Sequence, residues 1–157
     1  LAQKAGENTL VFLYDDKGTP FGFRYNGTTY YYTFNAQGDV TGILDHTGNT
    51  VARYTYDEWG SPLTITDAAG ADVSSNPSHI ANINPLRYRS YYFDPESGLY
   101  YLLSRYYDPE IGRFISADSM LAGVGQSIQG YNLFAYCYNN PINLTDDSGM
   151  WPSWGNI

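Results

Sequence analysis

The chain is short of cysteine, of basic residues and of long apolar runs, and each shortage excludes something. Cys137 is its one cysteine, so no disulfide closes within the chain and the redox compartment stays open. Lys and Arg number 8 against 16 Asp and Glu, a formal net charge of −8. That balance argues against nucleic acid and against an anionic membrane surface, since both need a basic face. No apolar stretch approaches the roughly 20 residues of a membrane-spanning helix. No leader is visible, and the chain opens on Leu1 rather than Met, which is read as a segment of a longer protein. With 157 residues it can build one sizeable core.

What it has in excess is tyrosine, 17 copies, with 16 glycines and 8 prolines. An aromatic, Gly-rich, Lys-poor composition favours strands and tight turns. One pattern recurs: alternating apolar residues, Asp or Asn, two residues, then Gly. It appears in FLYDDKG (12–18), YTFNAQG (32–38), GILDHTG (42–48), YTYDEWG (54–60) and TITDAAG (64–70). Asp or Asn opens a type I turn because its side chain accepts a backbone N–H; Gly at the fourth place takes a positive φ. From Asn35 to Asp67 these turns fall every 10 to 12 residues, which suits strands of about five or six residues in an antiparallel meander. Such short-period repetition predicts a stacked or spiralling sheet. Tyr14, Tyr32, Tyr54 and Tyr56 are read as structural strand residues rather than a sugar-binding platform.

Residues 67–84 are small and polar and contain Pro77; they read as a loop. YYFDPESGLYY (91–101) is then echoed by RYYDPEIGRFI (105–115), where Asp-Pro opens and Gly98 or Gly112 closes two tighter bends. The second bend sets Arg105 against Asp118 across a hairpin, an arrangement that by itself is most often a structural ion pair. SMLAGVGQSIQG follows with its three glycines, and YNLFAYCYNNP (131–141) predicts about two helical turns, with Leu133, Phe134 and Cys137 on one stripe. INLTDDSGM predicts a last short strand and turn. His46 and His79 lie far apart and make a weak metal or triad candidate. Cys137 reads as core, not nucleophile. The Asp-x-x-Gly turns lack the alternating oxygen ligands of a calcium loop. NGT (26–28) and NLT (143–145) fit the short glycosylation sequon.

The YTYDEWG type of repeat resembles the YD repeat of Rhs and teneurin-like proteins. NPLRYRSYYFDPESGLYYLLSRYYDPEIGRFISAD, continued by NLFAYCYNNPINLTDDSGM, resembles the Rhs repeat-associated core domain. The resemblance covers residues 84–150 and, more loosely, 10–66. It implies an all-β fold: antiparallel YD-repeat hairpins of a spiralling sheet, with a C-terminal core-associated segment containing a short helix. The expected organisation is YD-repeat strands over 1–66, a loop over 67–84, the core-associated segment over 85–150, and the start of a downstream segment over 151–157.

In many members of that family the segment plugs the end of a hollow shell and cuts its own chain after Asp-Pro-x-Gly-Leu, freeing a C-terminal cargo. Carried over by position, Arg105, Asp118 and Asp146 are the implied catalytic residues, and Met150–Trp151 is the implied cleavage site. Pro141, Asp147 and Gly149 fall in the cleavage motif. Met150 replaces the usual Leu, Asp147 replaces the usual Pro, and Ser119 stands where Pro often follows the first Asp. Asp147 is expected to loosen the turn and, as a third carboxylate, to raise the pKa values of the pair. Peptide hydrolysis by two carboxyls needs one protonated and one ionised, with water as the co-reactant and neither cofactor nor metal. Arg105 is expected to hold one carboxylate by a bidentate contact or to stabilise the oxyanion. The implied partners are the remainder of its own YD-repeat shell and a C-terminal toxin cargo. The implied location is secreted or cell-surface, as part of a larger bacterial protein. The alternative is a non-catalytic structural or adhesive module of a cell-surface YD-repeat protein.

Overall fold

The computed structural model describes residues 2–118, 132–150 and 152–154. Seven strands follow one another as a meander, each hydrogen-bonded to the next: β1 (Ala2–Ala5), β2 (Asn8–Tyr14), β3 (Pro20–Tyr25), β4 (Thr28–Phe34), β5 (Val40–Leu44), β6 (Thr50–Tyr56) and β7 (Pro62–Asp67). The turns work as their chemistry predicts. At Asp15, Oδ1 accepts the N–H groups of Lys17 at 2.9 Å and Thr19 at 2.8 Å, while Gly18 donates to the Asp15 carbonyl at 3.1 Å. Asn35, Asp45, Asp57 and Asp67 repeat the arrangement. The spent Oδ1 lone pairs explain why these turns are structural. The β3–β4 connection is different: Asn26 and Gly27 both have positive φ, 48° and 87°, as a two-residue type I′ turn requires.

The described residues form two compact units, one drawn from residues 1–55 and 62–84, the other from residues 56–61 and 85–157. The first has its core on one face of the seven-stranded sheet: Leu10, Phe12, Phe23, Tyr32, Val40, Ile43, Ala52 and Tyr54. Tyr14, on the same repeat pattern, is exposed at the strand end. The stretch expected to be loop over 67–84 carries a short helix, α1 (Ile80–Ile83), capped by His79, whose Nδ1 accepts the Ala81 N–H at 3.2 Å. Ala81 and Asn84 are fully buried. Tyr54 donates its hydroxyl to the Ala81 carbonyl at 2.7 Å, and Tyr32 donates to Asn84 Oδ1 at 2.7 Å. These bonds satisfy the two tyrosine hydroxyls, which would otherwise be buried at a cost of about 1–3 kcal/mol each.

The second unit is built on β8 (Tyr92–Asp94), β9 (Leu99–Leu102), β10 (Arg105–Asp108) and β11 (Arg113–Phe114), antiparallel in the order β11-β10-β9-β8. Its core is Tyr88, Tyr91, Tyr100, Leu102, Tyr107, Phe114, Tyr136 and Cys137. Tyrosine can serve as core here because the main chain of the Asp57–Gly60 turn accepts its hydroxyls: Tyr88 donates to Glu58 O at 3.0 Å, Tyr107 to Trp59 O at 2.7 Å and Tyr100 to Gly60 O at 2.8 Å. A Cβ on Gly60 would lie 2.5 Å from the Tyr88 ring, and φ there is +94°, so this turn takes glycine for two reasons.

The helical element expected over 131–141 is a single three-residue turn, Cys137–Asn139, in which all three φ values are positive. Leu133 and Phe134 therefore do not share a helical stripe with Cys137. Leu133 and Phe134 instead offer carbonyls to Asp118 N–H at 2.9 Å and Phe114 N–H at 3.0 Å, running beside the end of β11. Tyr136 and Cys137 turn inward to the aromatic core. The final strands, β12 (Leu144–Thr145) and β13 (Ser153–Trp154), pair antiparallel. The glycine-containing stretch from Ser119, and Trp151 of the implied cleavage site, lie outside the described residues. Among the described residues no helix is long and apolar enough to cross a membrane.

Candidate functional site

Arg105, Asp118 and Asp146, drawn from β10, the end of the β11 segment and the residue after β12, meet in the second unit. One guanidinium nitrogen of Arg105, Nη2, lies 3.2 Å from Asp118 Oδ2 and 3.8 Å from Asp146 Oδ2. The hairpin closed by Gly112 brings this about, since it pairs Tyr107 with Phe114 and returns the chain toward Asp118. Arg105 is held on every side. Nη1 donates to the Leu133 carbonyl at 2.9 Å, Nε donates to the Gly149 carbonyl, and Cζ sits 3.6 Å from the centroid of the Phe114 ring. The expected bidentate grip on one carboxylate is thus a single nitrogen shared between two.

Burial differs across the trio. Asp118 is 14 % exposed, while Asp146 is 2 % exposed. Burial pushes the Asp146 carboxyl above the ordinary carboxylate range, opposed by the Met150 N–H, by Arg105 and by Ser148. The Arg105 pKa is lowered, first by burial, against the pull of Asp118 and Asp146. Both directions have burial as their first cause, since a poorly hydrated place disfavours the charged form of each group.

Asp146 also organises its own turn. Its Oδ1 accepts the Met150 N–H at 3.1 Å and the Ser148 hydroxyl at 3.3 Å. With Arg105 Nε on the Gly149 carbonyl, the Gly149–Met150 peptide group is gripped on both its polar atoms. Gly149 has φ +69°, and a Cβ there would stand 2.5 Å from the Leu102 carbonyl oxygen and 2.7 Å from Ser104 Oγ. Ser104 in turn donates its hydroxyl to Ser148 O at 2.7 Å. Pro141 is buried, and its carbonyl accepts from Arg89. Asp147 points away: it is exposed and accepts the Thr145 hydroxyl at 3.0 Å. The upward shift at Asp146 comes first from burial, and Asp147 is not among its causes.

The remaining sequence candidates have structural places. His79 caps α1 and His46 sits in the Asp45–Gly48 turn. Among the described residues no group of His, Cys, Asp and Glu is set to hold a metal. Cys137 is buried with its thiol pushed up to about 12 by burial, which makes it inert as a nucleophile. Sequence reading missed Tyr91, whose hydroxyl accepts the Asp146 N–H at 3.0 Å, and Phe114, which carries the Arg105 face. No local signal separates Tyr91 from the other tyrosines, because its partner lies 55 residues away.

The chain matches the Teneurin YD-shell family over residues 3–143. It is 41% identical over 143 residues to the tRNA3(Ser)-specific nuclease WapA of Bacillus spizizenii, which is 91% of this chain and 6% of that protein. It is 34% identical over 109 residues to the toxin protein Tse5 of Pseudomonas aeruginosa, covering 64% of this chain and 8% of that one. Among solved structures, the crystal structure of TcdB2-TccC3 superposes with a TM-score of 0.70 at 24% identity over 91% of this chain and 7% of that one. A Photorhabdus luminescens Tc holotoxin pore does so with a TM-score of 0.67 at 22% identity, over 99% of this chain and 8% of that one. The chain therefore spans no more than 8% of any of these four proteins. With nearly its whole length accounted for by that family, and with the repeated Asp/Asn-x-x-Gly hairpins that the fold displays, the chain belongs to the Teneurin YD-shell family and is an Rhs/YD-repeat shell protein.

Proposed function

We propose that this chain is the end plug and aspartyl self-processing element of an Rhs polymorphic toxin, cutting itself after Met150 to free a C-terminal cargo inside the shell. The observation that carries the reading is the shared Arg105 nitrogen between Asp118 and Asp146, placed beside a turn whose Gly149–Met150 peptide is held by Arg105 and Asp146 themselves. The relatives named as a nuclease and a toxin support the toxin context. The implied partners are the rest of the YD-repeat shell and the cargo, and the implied location is secreted or cell-surface.

The geometry suggests the division of labour. Asp146, whose pKa burial raises, holds the shared proton and donates it to the scissile carbonyl oxygen. Asp118, more exposed and closer to the guanidinium, takes the proton of the attacking water. Water adds to the Met150 carbonyl carbon, the C–N bond to Trp151 breaks, the amine leaves with the proton that Asp118 took from water, and the collapsing diol returns a proton to Asp146. Asp118 and Asp146 face the same guanidinium nitrogen, so these roles describe one arrangement of the shared proton. Arg105 keeps two carboxyls close that would otherwise repel.

The second reading is a non-catalytic structural module. It is favoured by Asp147 in the place of proline and by the complete engagement of Arg105 with carbonyls, carboxylates and a ring, as a structural clasp would have it. Mass spectrometry of the purified chain separates the two: a species ending at Met150 supports self-cutting, and full-length chain alone supports the clasp.

A further inference from the structure

Four hydroxyl and carboxyl groups beside Asp146 form a chain whose proton directions are fixed by elimination. Thr145 donates its hydroxyl to Asp147 Oδ1 at 3.0 Å, and a hydroxyl has one proton, so Thr145 spends it there. Tyr91 Oη lies 2.9 Å from Thr145 Oγ1. With the Thr145 proton spent, Tyr91 is the donor in that contact. Tyr136 Oη lies 3.1 Å from Tyr91 Oη, and the Tyr91 proton is already used, so Tyr136 donates to Tyr91. The second lone pair of Tyr91 takes the Asp146 N–H at 3.0 Å. Tyr91 then has all its hydrogen-bonding capacity in use: one proton given, two accepted. Burial raises the pKa of both Tyr91 and Tyr136, so both hydroxyls keep the protons that the chain needs.

We propose that Tyr136, Tyr91, Thr145 and Asp147 form a one-way hydrogen-bond relay that positions the main chain of Asp146, with the Asp147 carboxylate as its terminus. Asp147 is thereby a positioning residue, not a loosened turn position. If Thr145 were not drawn to Asp147, its proton could point at Tyr91. Tyr91 would then accept from Thr145 and Tyr136 together, and its lone pairs would no longer be free for Asp146. The polarity set at the exposed end is what keeps an acceptor facing the buried N–H. Chains of hydroxyls polarise one another in this way, and their members act as a unit.

The inference rests on the self-cutting reading only for its consequence, not for its geometry, and the test keeps the two apart. In the full chain carrying Asp118→Asn, amide hydrogen exchange of Asp146 is followed by NMR for that background and for added Thr145→Val, Asp147→Ala and Tyr91→Phe. Thr145→Val and Asp147→Ala are expected to speed Asp146 exchange roughly five- to ten-fold, the loss of about one hydrogen bond, with amides of β5 unchanged. The double variant Thr145→Val/Asp147→Ala should equal either single one, since both break the same link. Asp146 exchange that stays at the background rate in Thr145→Val and Asp147→Ala overturns the relay, whether or not Tyr91→Phe folds. In the chain with Asp118 intact, Thr145→Val should slow self-cutting by a similar factor and Thr145→Ser should restore it. An uncut parent together with relay-dependent exchange defeats the self-cutting reading alone. Cutting that ignores Thr145→Val, with exchange that also ignores it, defeats the relay alone.

Discussion

Asp146 Oδ1 accepts the N–H of Met150 at 3.1 Å, four residues further along the same turn. The carboxyl proposed to deliver a proton and the residue proposed to precede the cut are therefore tied by local geometry. Arg105 Nε holds the neighbouring Gly149 carbonyl, so a change at this turn reaches the acid and the substrate segment together. Proximity of this kind removes the entropy of bringing groups together, which is the main advantage that a self-cutting chain has over a protease acting in trans.

Gly149→Ala should therefore damage both fold and function. Its φ of +69° disfavours a side chain by about 1–2 kcal/mol, and the added Cβ meets the Leu102 carbonyl oxygen at 2.5 Å. The expected outcome is a lower thermal midpoint for the second unit and self-cutting slowed by at least about ten-fold. Thermal melting and timed mass spectra check it; parent-like values for both would show that the turn has room to adjust.

The pH dependence follows from Asp146, whose folded-state pKa lies above the ordinary carboxylate value of 3.8. A raised folded-state pKa means that the native chain binds this proton more tightly than the unfolded chain does. The stability contributed is complete below the unfolded value and is lost as pH rises through the folded one. Self-cutting should follow the same proton, fastest at mildly acidic pH and slower toward neutrality. Rate and melting temperature measured from pH 4 to 8 test this, with Asp147→Ala retaining the acid preference because burial, not Asp147, raises the pKa. A flat profile in the parent, or one abolished by Asp147→Ala, would contradict it.

How much of this was readable in the sequence depends on how local each cause is. The five Asp/Asn-x-x-Gly turns were legible because each is completed by its own residues, as at Asp15, Lys17, Gly18 and Thr19. The helix expected over 131–141 shortened to one turn because Tyr136 and Cys137 are drawn into the tyrosine core, which overrides an apolar spacing over so few residues. Asn84 read as the end of a polar loop; nothing nearby announces that Tyr32, 52 residues earlier, needs its carbonyl. Arg105 and Asp118 were legible as a hairpin pair. Asp146 joined them only through the family resemblance, since by itself it opens an ordinary turn.

Asn84→Ala should lower the stability of the first unit by about 1–3 kcal/mol, because it strands the buried hydroxyl of Tyr32. Tyr32→Phe in the Asn84→Ala background should recover part of that loss, since it removes the stranded group. Urea unfolding of the four chains checks the cycle, and strict additivity would show that the bond carries no coupling.

Cys137 should resist thiol reagents in the native chain. Its thiol is buried and pushed up to about 12, so almost none is thiolate at pH 8. Disulfide-exchange reagents should label it only as fast as the second unit opens, and at once in denaturant. Rapid native labelling would place Cys137 at the surface.

The central claim is that Asp118 and Asp146, clasped by Arg105, cut the chain after Met150. The most direct measurement is a time course of intact mass for the purified chain at mildly acidic pH, alongside the Asp118→Asn, Asp146→Asn double variant. The account predicts a product ending at Met150 that accumulates in the parent and is absent from the double variant, with circular dichroism unchanged between them. Full-length parent throughout, or the same product from the double variant, would contradict it.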